Sequence, residues 1–94
     1  MRYSVYNVLV VEDDEDIRNL LAEQLGDKGF YVRQSNDGSA ALVRVKGQKP
    51  DVMFVDIMMP IMDGIELISE LQENPDTSDI PIVLVTAVST PTSR

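Results

Sequence analysis

The sequence predicts an α/β domain built around a parallel β-sheet, and three observations carry that prediction. Runs of four apolar residues occur at 8–11, 52–55 and 82–85, and each run is apolar on both faces, as strands buried in a parallel sheet are. The stretches between the runs place apolar residues at the three- and four-residue intervals of a helix. Strand and helix alternate along the 94 residues, which favours one domain with right-handed crossovers.

The first strand, residues 8–11, leads into a helix that begins in an unbroken acidic run. Residues 14–16 are predicted to be its cap and first turn, because acidic side chains are favourable at a helix N-terminus. Gly26 or Gly29 is expected to end it. The helix carries one apolar stripe, formed by Ile17, Leu20, Leu21 and Leu25.

The second strand and the second helix are shorter. Residues 30–32 predict a weaker strand, and the polar Arg33 and Gln34 that follow favour a position at the edge of the sheet. The Asn-Asp-Gly sequence at 36–38 predicts a turn and a helix cap, and the Gln-Lys-Pro sequence at 48–50 breaks the helix that follows. The inward side of this helix is predicted to consist of Ala41, Leu42 and Val45.

The third strand, residues 52–55, ends at Asp56. A third helix follows a loop, and Asp63 is predicted to cap it. Its inward residues are predicted to be Ile65, Leu67, Ile68 and Leu71. The fourth strand, residues 82–85, is predicted to be buried and ends at Thr86.

Composition excludes several classes of protein. There is no cysteine and no histidine, which excludes disulfides, thiolate or imidazole metal sites, and a histidine-based triad. Neither the P-loop nor the dinucleotide-binding glycine motif occurs, and no apolar run approaches the roughly 20 residues of a transmembrane helix. A net charge of −8 argues against a basic patch for nucleic acid or anionic membrane. No signal peptide is recognisable, so we expect a cytoplasmic location.

Polar side chains follow three of the predicted strands. Glu12 and Asp13 follow the first, Asp56 ends the third, and Thr86 follows the fourth. Ligands of open parallel sheets bind outside the carboxyl ends of the strands, so these groups are predicted to meet at one rim. Clustered carboxylates repel one another without a counter-charge, and hard oxygen ligands suit Mg²⁺. A carboxylate there can also attack a phosphoryl group and form an acyl phosphate.

Four segments resemble, in order and spacing, the receiver domain of bacterial two-component response regulators. They are VLVVEDDE at 8–15, PDV at 50–52, VDIMMPIMDG at 55–64 and IPIVLVTA at 80–87. The resemblance implies a flavodoxin-like (CheY-like) fold with strand order 2-1-3-4-5. It also implies a single receiver domain over residues 1–94 that is shortened after the fourth strand, lacking the last strand and helices.

The resemblance implies a role for each matching residue. Asp56 matches the phosphoacceptor that takes a phosphoryl group from a histidine kinase or phosphotransfer protein. Glu12 and Asp13 match the acidic pair that places Mg²⁺, and Met58 matches the position whose backbone carbonyl completes the metal shell. Thr86 matches the hydroxyl that moves onto the phosphoryl group when the domain switches. Such a domain is a switch rather than a turnover enzyme.

One departure from the family keeps an alternative open. The family's lysine at the end of a fifth strand has no counterpart, since Lys28, Lys46 and Lys49 all lie upstream. The chain could therefore be a pseudo-receiver or a truncated interaction module that works without phosphate. A haloacid-dehalogenase-like phosphatase is disfavoured, because it needs a second Asp where Met58 stands. A dinucleotide-binding domain lacks its glycines.

Two further hypotheses concern self-association of the chain and the rate at which the phosphoryl group is lost. Without a fifth strand, the fourth strand would become a sheet edge, and an exposed edge invites pairing, so self-association is expected. Met58 and Val88 lie two residues beyond Asp56 and Thr86, and both are apolar. Neither can hold an attacking water by a hydrogen bond, so slow loss of the phosphoryl group is expected.

Overall fold

The structure, a computed structural model, describes residues 5–57, 59 and 64–85 as alternating strands and helices. The elements in chain order are β1 (Asn7–Val11), α1 (Glu15–Asp27), β2 (Tyr31–Ser35), α2 (Gly38–Gly47), β3 (Val52–Asp56), α3 (Gly64–Glu73) and β4 (Ile82–Val85). The strands are all parallel and lie in the order β2-β1-β3-β4. The predicted flavodoxin-like α/β fold and the edge position of β2 are confirmed.

Local caps explain where α1 and α2 begin and where α1 ends. The Asp14 carboxylate accepts a hydrogen bond from the Ile17 amide at 3.0 Å, and Asp37 accepts one from the Ala40 amide at 2.8 Å. At the end of α1, Gly29 adopts a φ of 98° and its amide donates to the Gly26 carbonyl. The Phe30 amide reaches back to the carbonyl of Leu25, which completes a Schellman motif.

The hydrophobic core lies between one face of the sheet and the helices α2 and α3. Alternate residues of β1 and β3 project towards these helices, because side chains alternate along a strand. The core cluster consists of Leu9, Val11, Ala41, Val45, Met53, Val55, Met59, Leu67, Leu71 and Ile80. The predicted inward residues Ala41, Val45, Leu67 and Leu71 are all buried. The prediction that Ile65 points inward is wrong. Its side chain is 61% exposed, on the side of α3 that faces away from Leu67 and Leu71.

The opposite face of the sheet is only partly covered. Helix α1 packs over β1 and β2 and buries none of its own residues completely. The predicted stripe is therefore split: Leu21 and Leu25 are half-buried, whereas Leu20 is 55% exposed and Ile17 lies at 37%. The amphipathic pattern identified the apolar side of α1 correctly. The sequence did not show how little of that side the rest of the described chain covers.

Strand β4 is also more exposed than its apolar sequence predicts. It lies at the edge of the described sheet, beside β3. Val83 and Leu84 point to opposite faces and are 43% and 55% exposed, because no described helix lies over either of them. The prediction of a buried fourth strand is wrong for these two residues, and the prediction of an exposed fourth-strand edge is confirmed for the described part of the chain.

Candidate functional site

Three carboxylates meet at the carboxyl ends of β1 and β3. Each of Glu12, Asp13 and Asp56 offers a carboxylate oxygen, and these oxygens all lie within 4.8 Å of one another. Glu12 and Asp56 are each 1% exposed, whereas Asp13 faces solvent. The cluster is thus buried on one side and open to water on the other, which suits a small ligand entering from the rim.

The sheet register brings these residues together. Strands β1 and β3 are neighbours, and Val11 lies opposite Val55, so the residues that follow each of them are adjacent. The hydrogen-bond ladder continues past the strand ends, with the Glu12 amide donating to the Ser35 carbonyl at 3.1 Å and the Ile57 amide to the Val85 carbonyl at 3.2 Å. Because both backbones are held on two sides, the carboxylates are positioned before any ligand arrives.

Two residues outside the acidic cluster fix its shape. Arg18 donates from Nη1 to the Glu12 carbonyl at 3.1 Å and holds the turn that follows β1. Gly64, the first residue of α3, packs against the backbone of Asp56: a Cβ there would lie 2.5 Å from the Asp56 carbonyl oxygen. Any side chain at this position would push α3 away from the end of β3. Gly64 is the last residue of the segment at 55–64 that matches the receiver domain, whereas Arg18 was missed. The one signal available in the sequence was an arginine two residues after the acidic run, in the predicted first helix.

Burial makes the Glu12 carboxyl an unusually weak acid. Removal from water raises the pKa of its carboxyl from 4.5 to about 7, and the neighbouring Asp56 and Asp13 carboxyls push in the same direction. The Asp14 amide, which donates to Glu12 Oε2 at 3.1 Å, opposes the shift without cancelling it. Among the described residues, Glu12 Oε1 is buried and has no hydrogen-bond partner. A buried acceptor without a donor is a place where a cation or a bound water would be stabilising.

The donor set fits Mg²⁺. Carboxylate oxygens are the hard ligands that this ion prefers, and a divalent cation supplies the positive charge that the three acidic groups lack. The open side at Asp13 leaves room for the waters that Mg²⁺ retains. Two predicted members of the site, Met58 and Thr86, lie outside the described residues, as does the predicted cap Asp63.

Within the part of the chain that the structure describes, no helix has the length and apolar character needed to cross a membrane. The longest helix described, α1, has 13 residues.

Comparison with known proteins gives a consistent match. The family model of the response regulator receiver domain matches residues 8–94. The response regulator MprA of Mycobacterium leprae (strain TN) is 39% identical over 80 residues, which are 85% of this chain and 34% of that protein. The chain therefore spans about a third of the length of the curated relatives it matches.

Solved structures resemble the fold closely. The N-terminal domain of a response regulator receiver protein from Methanoculleus marisnigri JR1 has a TM-score of 0.86 at 33% identity, covering 90% of this chain and 69% of that one. The response regulator TrrA from Thermotoga maritima, solved in complex with Mg²⁺-BeF, has a TM-score of 0.83 at 33% identity, covering 90% and 72%. The chemotaxis protein CheY4 of Vibrio cholerae has a TM-score of 0.85 at 30% identity, covering 94% and 73%.

Proposed function

Because this chain belongs to the family of response regulator receiver domains, we propose that it is a phosphorylation-controlled switch whose phosphoacceptor is Asp56. The observation that carries the proposal is the meeting of Asp56 with Glu12 and Asp13 at the ends of two adjacent parallel strands. The phosphodonor is a sensor histidine kinase or a phosphotransfer protein, and the domain acts in the cytoplasm.

The transfer is a displacement at phosphorus. A carboxylate oxygen of Asp56 attacks the phosphorus of a phosphohistidine, an O–P bond forms, and the P–N bond breaks as the imidazole leaves and takes up a proton. A bound Mg²⁺ would neutralise charge on the transferring group. Glu12 and Asp13 would hold it together with Asp56 and the backbone carbonyl of Met58.

The remaining roles complete the switch. Thr86 is proposed to move its hydroxyl onto the acquired phosphoryl oxygens, which would couple phosphorylation to the end of β4. The Ile57 amide donates to the Val85 carbonyl at the same rim, so the ends of β3 and β4 are joined by a hydrogen bond beside the proposed site. The chain is proposed to form a single receiver domain over residues 1–94, and it turns over no substrate beyond its own phosphorylation and dephosphorylation.

The proposal is tested by incubating the chain with Mg²⁺ and a small acyl phosphate and reading the intact mass. We expect one added phosphoryl group, lost on omission of Mg²⁺ and in Asp56→Asn. The matched control is Asp76→Asn, which removes the same charge from an exposed loop residue and should leave the added mass in place. A folded chain that gains no mass in any condition contradicts the proposal and favours a pseudo-receiver that works without phosphate.

A second proposal concerns self-association through β4. Two observations favour it: β4 is the edge of the described sheet, and Leu84 and Val83 expose apolar surface on its two faces. We expect sedimentation equilibrium to give a dimer or larger species, and Leu84→Lys to give a monomer. Ile65→Lys is the control, because Ile65 is equally exposed but lies on α3, away from the edge. A parent chain that is monomeric at all concentrations refutes this.

A further inference from the structure

A polar cavity lies beside the acidic site, at the carboxyl end of β2. It has a volume of about 290 Å³, and its walls come from α1, from β2 and the turn after it, and from α2. The lining residues are Arg18, Gln34, Ser35, Asn36, Ala40 and Arg44. None of them is acidic, although the chain as a whole carries a net charge of −8.

The positive charge in this cavity has no acidic partner in the described structure. Arg18 donates from Nε to Gln34 Oε1 at 3.1 Å and from Nη1 to the Glu12 carbonyl at 3.1 Å, and both acceptors are neutral. Arg44 forms no ion pair among the described residues, where the one ion pair joins Lys49 to Asp79 at 2.8 Å. Two guanidinium groups that share a cavity repel each other unless an anion lies between them.

A third donor lies in the same wall. Ser35 is 4% exposed, and its Oγ is buried without a hydrogen-bond partner among the described residues. A serine hydroxyl can turn about a single bond, so a ligand in the cavity could bring this donor into use. The N-terminus of α2 is nearby but contributes less, because Asp37 already accepts from the Ala40 amide and places a negative charge there. The two arginines are the charged residues that line the cavity.

We propose that this cavity is an oxyanion site that binds a phosphate group. A dianionic phosphate offers several acceptor oxygens, and guanidinium groups recognise such oxygens in paired hydrogen bonds. The site is separate from the proposed phosphoacceptor: it lies at the end of β2, on the far side of β1 from Asp56. Its lining carries two guanidinium groups and no carboxylate, whereas the Asp56 cluster supplies carboxylates and takes a cation.

The test is a titration of the chain with inorganic phosphate followed by ¹H–¹⁵N correlation spectra, in EDTA and against chloride at equal ionic strength. We expect saturable shifts of the Ser35, Asn36 and Ala40 amides with millimolar affinity. Arg44→Gln should weaken binding about tenfold, the scale of a lost charged hydrogen bond. Lys46→Gln is the matched control on α2, since it removes the same charge from outside the cavity, and it should change the affinity less than about twofold.

The titration distinguishes failure of this proposal from failure of the proposed phosphoacceptor function. Asp56→Asn should bind inorganic phosphate as the parent does. This expectation holds whether or not an acyl phosphate phosphorylates Asp56 in the parent. Adenosine monophosphate serves as a second ligand: equal or tighter binding identifies the source as a phosphate monoester, and binding of inorganic phosphate alone identifies the free anion. Shifts that never saturate, shifts centred on Glu12 and Asp13, or equal weakening by both charge variants overturn the proposal.

Discussion

Replacing Glu12 with glutamine should stabilise the metal-free protein at neutral and alkaline pH. In the folded protein the pKa of Glu12 is raised from 4.5 to about 7, chiefly by burial. Below pH 4.5 the carboxyl is protonated in both the folded and the unfolded chain, so it causes no difference. Between pH 4.5 and about 7 the folded protein holds a proton that the unfolded chain has lost, so stability falls as the pH rises. Above that range the full loss persists.

The size of the loss follows from the shift. One pKa unit corresponds to about 1.4 kcal/mol, so the shift of Glu12 corresponds to about 3 kcal/mol of unfolding free energy in the fully buried limit. Water at the open side of the cluster, where Asp13 is exposed, lowers this figure, and we expect about 2 kcal/mol. Glutamine resembles the protonated acid in shape and charge, so Glu12→Gln should recover most of that difference at pH 8 and almost none at pH 4.

Urea unfolding in EDTA at several pH values measures the effect as the difference in unfolding free energy between Glu12→Gln and the parent. Glu23→Gln is the control, because it removes the same charge from an exposed position on α1. Millimolar Mg²⁺ should stabilise the parent at pH 8 and should stabilise Glu12→Gln less, since the variant lacks a ligand charge. An advantage of Glu12→Gln that does not grow between pH 4 and pH 8, or one that Glu23→Gln shares, would refute the reasoning.

Three further predictions test individual residues. Gly64→Ala should cost about 1–3 kcal/mol of unfolding free energy in urea and slow phosphorylation of Asp56, because a Cβ there meets the Asp56 backbone; unchanged stability would mean that α3 can shift freely. Asp14→Ala should cost about 1 kcal/mol through the lost cap of α1, and a change below about 0.3 kcal/mol would contradict that role. Met58→Asn should hasten loss of the phosphoryl group, followed by intact mass, because an amide can hold the attacking water; an unchanged lifetime would count against it.

The elements of the fold were predictable because each has a local cause. Asp14 and Asp37 begin helices through their own side chains, and Gly29 ends one through its backbone freedom, so neighbouring residues suffice to place these boundaries. Exposure was not predictable in the same way. Leu20 and Val83 are apolar, but whether an apolar residue is buried depends on distant segments that cover it.

The candidate site was also predictable only in part, for the same reason. The acidic cluster could be predicted, because parallel strands place their carboxyl ends at one edge whatever the details of packing. The raised pKa of Glu12 could not, since it depends on how far the rim is closed to water. Nor could the cavity at the end of β2, because Arg18 and Arg44 lie on different helices and no spacing in the sequence relates them.

The strand order also determines how this sheet can be assembled. Strand β1 lies between β2 and β3, and β4 then adds to β3. Each new strand joins an edge that already exists, so the sheet can grow in the order in which a ribosome delivers the chain. The joining steps span 24 residues from Asn7 to Tyr31, 44 from Val8 to Val52 and 29 from Met53 to Ile82. These spans differ by less than a factor of two, and closure entropy varies only slowly with loop length. A growing chain therefore needs no late rearrangement to insert a strand, and at every stage each of its two edge strands has unpaired backbone groups along one side.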